Sequence, residues 1–377
     1  MRASEEKTLD DVCKFIVDCL HETAPVQEEG FPLIRTPNIG RGRLLLDGVY
    51  CVSEDTYAEW TRRAKPEAAD LILAREAPAG NVAIVKNGQT VCLGQRTVHL
   101  RPDTQQVDPD FLCYFLLAPP QQGLLLAGET GATAKHVNMK DIRRLPLRKM
   151  PGIESQRRAG RILAAYDDLI ENNRRRIQLL EQAVRLLYKE WFVQLRFPGH
   201  EHTPIIDGVP EGWEKKPLGT VAPLKYGKAL KKDDRISGPF EVFGSSGIVG
   251  THSKALVPGP TIIVGRKGNI GSVYWSPDDC HPIDTVYYID SAHCSFFLYY
   301  TLQQMTFIST DVAVPGLNRD FAHSRLLLIA DQKIRRLFED TVSPMHQQME
   351  LLKRQNASLA RARDLLLPKL MNGEVSV

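Results

Sequence analysis

Arginines spaced by glycine are the first residues in this chain that suggest chemistry. In Arg35-Thr36-Pro37-Asn38-Ile39-Gly40-Arg41-Gly42-Arg43, three guanidinium groups and one carboxamide share a loop. Guanidinium forks suit guanine edges and phosphates, a carboxamide suits adenine, and Gly40 and Gly42 would let the backbone approach a ligand closely. The plain alternative is a set of solvated loop charges. Lys225, Lys228, Lys231 and Lys232 surround Tyr226, a cluster that suits phosphate contact, or else an exposed charged segment partly neutralised by Asp233 and Asp234. The turn Gly244-Ser245-Ser246-Gly247 offers N–H groups and hydroxyls from Ser245 and Ser246 to a phosphate, although Gly-Ser turns are commonly only turns. Arg75, and Arg266 with Lys267, lie in two similar hairpins, placed for DNA contact or for an internal ion pair. Asn172-Asn173-Arg174-Arg175-Arg176 is a basic run that attracts phosphates or forms a solvated helix face.

Catalytic patterns are missing from the sequence. An adenine methyltransferase needs a glycine-rich turn for S-adenosylmethionine and an Asn/Asp-Pro-Pro-aromatic segment; Gly265-x-x-Gly268-x-x-Gly271 has neither the spacing nor a following helix. Glu214-Lys215-Lys216 has no Asp-bearing strand before it to complete a nuclease Mg²⁺ site, and no Walker-type Gly-Lys-Ser/Thr occurs. The ten histidines form no His-x-x-x-His pair, and the seven cysteines are scattered without a Cys-x-x-Cys, so metal and redox chemistry are not expected. A net charge of +3 leaves the decision about nucleic acid to local clusters. No apolar run reaches the roughly 20 residues that span a bilayer, and Met1 to Lys7 is not a secretion signal, so a cytoplasmic protein without membrane contact is expected.

The elements that must position these residues occur twice. Asp70-Leu71-Ile72-Leu73-Ala74-Arg75 through Gly80-Asn81-Val82 reads as strand, turn and strand, and Thr261-Ile262-Ile263-Val264-Gly265-Arg266 through Gly271-Ser272-Val273 aligns with it without gaps. Further pieces follow in the same order: Lys135-His136-Val137-Asn138 finds Pro315-Gly316-Leu317-Asn318, and Leu145-Pro146-Leu147 finds Leu326-Leu327-Leu328. A long amphipathic segment follows each time. The first, Glu154 to Val193, shows a seam at Ile162, Tyr166, Leu169, Ile177, Leu180, Val184, Leu187 and Trp191, with a stutter at Asn173, where a polar residue would fix register, and an end at Phe197-Pro198-Gly199. The second starts at the N-cap Asp331, runs through Phe338, Thr341, Met345, Met349, Leu352, Leu359, Leu366 and Leu370, should kink at Pro344, and closes at Asn372-Gly373. The fold class is α+β: two tandem domains, 1–150 and 198–330, alternate with two long helices, 151–197 and 331–377, that pair as an antiparallel coiled coil. At about 1.5 Å per residue, some 40 helical residues span roughly 60 Å, more than one DNA turn of about 34–36 Å, so the pair would act as a ruler.

Several stretches together resemble the specificity subunit of Type I restriction-modification systems: Arg35 to Gly42, Phe240 to Gly250, Leu186-Leu187-Tyr188-Lys189-Glu190-Trp191-Phe192, and Arg363 to Leu370 with Gly373-Glu374. The resemblance covers nearly the whole chain. It implies two target-recognition domains, each reading half of a bipartite double-stranded DNA site, with the coiled coil setting the unread spacer. It also implies docking of two methyltransferase subunits and of a restriction/translocase subunit. Adenine methylation and cleavage then belong to those partners, which would hold S-adenosylmethionine, ATP and Mg²⁺; this chain itself would hold no cofactor and catalyse nothing. The competing reading is a non-catalytic two-domain coiled-coil adaptor that binds proteins.

Overall fold

A computed structural model of the chain describes residues 7–127, 136–148, 150–307 and 316–375. Two compact units emerge: Met1–Arg175 with Leu352–Val377, and Arg176–Leu351. Each takes a segment of both long helices instead of leaving them as separate linear pieces, because those segments complete its core. Ala159, Leu163, Leu367 and Leu370 lie in the core of the first unit; Val184, Tyr188, Phe338 and Val342 lie in that of the second.

Among the described residues, the main sheet of the first unit has the strand order Cys13–Asp18, Thr97–Pro102, Leu71–Ala74, Val82–Ile84, Gly42–Arg43. Its centre is the apolar run read from sequence: Leu71, Ile72 and Leu73 are wholly buried, each contributing about 1.5–3 kcal/mol by leaving water. A smaller sheet puts Phe31–Ile34 between antiparallel Cys51–Val52 and parallel Cys92–Leu93. The second unit repeats both. Its larger sheet runs Lys225–Tyr226, Val286–Ile289, Thr261–Gly265, Val273–Ser276, and its smaller one puts Phe240–Gly244 between antiparallel Gly247–His252 and parallel Cys280–Pro282.

Hydrogen bonds make the duplication exact at the hairpins. Ala74 N–H donates to Asn81 O and Gly265 N–H to Ser272 O; Gly80 N–H donates to Ala74 O and Gly271 N–H to Gly265 O. The two turn glycines have φ of +90° and +75°, in the left-handed region that disfavours side chains. Val137 N–H donates to Arg75 O, as Leu317 N–H does to Arg266 O, so the aligned segments also return to the same place. Lys135 and Pro315, aligned alongside them, lie outside the described residues.

The first long helix spans Ile153–Tyr188 and continues as a π-turn over Lys189–Val193, ending before the expected Phe197-Pro198-Gly199. There Phe192 and Phe197 turn into the core beside Trp213, and Gly199 has φ +89°. The second spans Gln332–Met371 and passes through Pro344 and Pro368 without interruption. Asp331 caps it by accepting from Lys333 N–H and Ile334 N–H. Within each unit the helices pair antiparallel: Asp167 meets Arg363 and Asn173 meets Asn356 in the first, and the Tyr188 and Phe192 rings lie against Phe338 in the second.

The seam of the first helix is shifted by one residue from its expected N-terminal phase. Leu163, Asp167 and Ile170 are buried, whereas Leu169 is exposed. The buried carboxylate of Asp167 hides the apolar period there. Further along, Val184 is buried as expected. On the second helix Val342, not the exposed Thr341, faces the core. The polar seam residue Asn173 is buried and donates to Asn356 Oδ1 at 3.0 Å, while Asn356 donates to Ile170 O at 3.2 Å. A polar pair on an apolar seam penalises slipped registers, since any shift leaves both carboxamides unsatisfied.

Candidate nucleic-acid interface

The two loops singled out in the halves occupy equivalent positions. Gly94 N–H donates to Ile34 O in the first unit and Ile283 N–H to Phe243 O in the second, which sets Thr36 against Ser245 and Pro37 against Ser246. Both turns are tied to the neighbouring hairpin. Thr36 Oγ1 donates to Ala77 O and Asn81 Nδ2 to Ile39 O; in the second unit Ser272 Oγ and Tyr274 OH both donate to Ser245 O. A rigid hairpin thus holds an exposed turn in each repeat.

In the first unit Asn38 Oδ1 accepts from Arg35 N–H and closes the turn, leaving the exposed Arg35 guanidinium 4.5 Å over the Tyr50 ring. A cavity of about 370 Å³ opens beside it, lined in part by Leu33, Arg35, Thr36, Gln95 and Arg96. Arg96 also lines a cavity of about 240 Å³ with His21, Arg75, Glu76 and His136. Gln95 and Arg96 were not singled out from sequence; Gln95 donates to His21 O and Arg96 pairs with Glu76, and Arg75 N–H donates to Arg96 O where Arg266 N–H donates to Thr285 O, a rung visible only once the strands are paired.

Three arginines of the first half are bonded to the protein itself, Arg43 and Arg75 with their side chains largely buried and Arg41 exposed. Arg41 donates to Leu117 O at 2.9 Å, and Arg43 donates to Glu171 Oε2 at 2.6 Å. Arg75 Nε donates to Val137 O, and its Nη1 lies 3.9 Å from Asp18, so the internal role weighed for it is the one seen. The glycines between them serve the same packing. A Cβ on Gly42 would sit 2.5 Å from Asp167 Oδ2, and one on Gly40 would sit 2.8 Å from Arg43 O. The close approach is to the protein's own carboxylate and backbone.

Asp167 is the centre of this inward network. Tyr114 OH donates to its Oδ2 at 2.6 Å and Arg363 Nη1 to its Oδ1, linking the globular core and both helices through one buried carboxylate. Burial alone would lower the pKa of Arg363, but the attraction of Asp167 raises it above the ordinary value.

In the second unit Lys225 pairs with Asp290, which raises the lysine pKa and lowers that of the carboxylate, whose other partner is His293. Lys228, Lys231 and Lys232 are exposed, with no side-chain partner among the described residues, as are Ser246 and Lys267. Arg266 donates to Asp284 O and lies 5.1 Å over the Tyr226 ring. Asn318 is structural: its Oδ1 accepts from Asp320 N–H and Phe321 N–H, capping the helix Arg319–Ser324.

Burial pushes the thiols of Cys13, Cys92 and Cys294 up to about 12 and that of Cys280 to about 11, so these remain protonated at neutral pH. Among the described residues no group of three or more His, Cys, Asp or Glu is placed to hold a metal ion, and no helix is long and apolar enough to cross a membrane.

A duplicated α+β module, each copy presenting a turn braced by a hairpin and built onto an antiparallel helix pair, defines a protein with two recognition surfaces. The chain belongs to the Type I restriction modification DNA specificity domain family, whose model matches residues 1–182 and 210–321. Among relatives, the MjaIX type I restriction enzyme specificity subunit of Methanocaldococcus jannaschii is 24% identical over 364 residues, covering 86% of this chain and 82% of the relative. The HindI specificity subunit of Haemophilus influenzae is 23% identical over 366 residues, covering 73% and 79%. The crystal structure of a Type-I restriction-modification S subunit from M. genitalium shares the fold with a TM-score of 0.61 at 17% identity, over 98% of this chain and 97% of that one. DNA-sequence recognition in a type I restriction-modification system is the role this family assigns to the chain.

Proposed function

We propose that each unit reads one half of a bipartite double-stranded DNA site and that the two long helices set the unread spacer between the halves. The observation that carries this reading is the turn-for-turn equivalence of Thr36 with Ser245 on matched hairpins. Two copies of one surface with different side chains suit two half-sites of different sequence. The DNA-facing residues are Arg35 and Asn38 on the first turn, and Ser245, Ser246, Lys228, Lys231, Lys232, Arg266 and Lys267 in the second unit. Arg43 and Arg75 brace the first unit from inside, while the exposed Arg41 and Lys225 are bonded to Leu117 O and Asp290 within their own units.

The chain recognises DNA in the cytoplasm and leaves chemistry to partners. Two methyltransferase subunits would bring S-adenosylmethionine, and a restriction/translocase subunit would bring ATP and Mg²⁺. The test is equilibrium binding by the chain with its methyltransferase partner at physiological salt. A duplex carrying the two-part site should bind at least about 10³-fold more tightly than a scrambled duplex. Equal affinity would refute the proposal.

A further inference from the structure

The same structural position carries a carboxylate in one repeat and a neutral aromatic ring in the other. In the first unit, the strand Cys13–Asp18 lies beside Thr97–Pro102, and Asp18, opposite Val98, sits close enough to pair with Arg75. In the second unit, Tyr226 lies opposite Tyr287 at the corresponding edge, so the acid that answers the hairpin arginine is replaced by an aromatic ring. Arg266 rests 5.1 Å over that ring and 5.8 Å over Tyr287. A second guanidinium, Arg319, also lies 5.1 Å over Tyr226. Among the described residues no carboxylate pairs with Arg266, and the nearest acid to Arg319 is the exposed Asp320 at 3.8 Å. Arg319 Nε is buried yet donates to no acceptor.

Two like charges gathered on one ring repel each other unless an anion joins them, whereas the ring faces hold them in place at small cost. Tyr226 is itself half exposed, so the pair is open to an approaching ligand. Resting on the proposed DNA-reading role, we infer that Arg266 and Arg319, seated on Tyr226, form a phosphate clamp for the DNA backbone. The second repeat has this clamp and the first repeat lacks it. The guanidinium geometry favours bidentate phosphate contact. The clamp adds affinity without reading sequence.

The experiment measures binding of the complete chain with its methyltransferase partner to two duplexes, one carrying the motif methylated in the host genome and one scrambled, over a range of salt. Each phosphate contact contributes about 0.9 to the slope of log affinity against log salt. R266Q and R319Q should each lower the slope by about one on both duplexes and leave the ranking of half-site base changes intact. R266K should keep the wild-type slope, and R75Q in the first repeat should not alter it. Unchanged slopes in R266Q and R319Q would overturn the clamp, as would an equal fall in R75Q or a loss confined to one base of the site. Wild-type protein with no preference between the duplexes would instead refute the DNA-reading proposal, and the slopes on those same duplexes would still decide the clamp.

Discussion

Asp167→Ala should destabilise the first unit by about 3 kcal/mol, the low end of the range for removing one partner of a buried ion pair. The side chain of Asp167 is 3% exposed and that of Arg363 15%. Removing the carboxylate leaves Tyr114 OH, also buried, without its acceptor, and leaves Arg363 with only the exposed Asp364. That remaining partner is why the low end applies. Asp167→Asn keeps an acceptor for Tyr114 and should lose less. Arg43→Gln, which breaks a contact to the exposed Glu171, should cost at most about 1 kcal/mol. Urea unfolding of the three variants checks the order. A loss below about 1 kcal/mol in Asp167→Ala would show that the carboxylate does not join the core to the helices.

Insertion of one heptad into each long helix, after Arg175 and before Leu352, should lengthen the spacer of the recognised site by about three base pairs. Seven residues add about 10.5 Å of helix, and stacked bases rise about 3.4 Å each. A heptad preserves the seam phase to within about 20°, and these positions leave the Asn173–Asn356 pair within its own unit. The bases of both half-sites should stay the same, because the turns at Thr36 and Ser245 are braced inside their own modules. Seven residues added to the first helix alone should abolish specific methylation, since the two antiparallel helices then differ by two turns in length and cannot both keep their paired registers. An unchanged spacer in the doubly extended protein, or altered half-site bases, would contradict the ruler.

The duplicated plan was legible because a hairpin that turns through a left-handed glycine constrains sequence at fixed offsets: Gly80 and Gly271 stand five residues after Arg75 and Arg266. The boundaries of the second long helix were legible from Asp331, a side-chain cap, and Gly373, a left-handed glycine, both of which act locally. The seam phase near Asp167 was not, since a carboxylate on an apolar face reads as solvent-exposed until its partners are known. Both partners, Tyr114 and Arg363, are distant in sequence. The same limit governs the basic residues. Arg35 and Arg43 look alike in the loop, yet one lies over Tyr50 at the surface and the other is bonded to Glu171. Arg75 and Arg266 align perfectly, and what separates them is the residue across the sheet edge, Asp18 or Tyr226.

The account centres on one chain that reads DNA twice across a fixed gap. Mapping methylated adenines in the host genome, with the gene for this chain intact and deleted, tests that most directly. The expected result is one recurring motif of two specific halves separated by a constant run of unread bases, lost on deletion. A continuous motif without a gap, or methylation that persists unchanged after deletion, would contradict it.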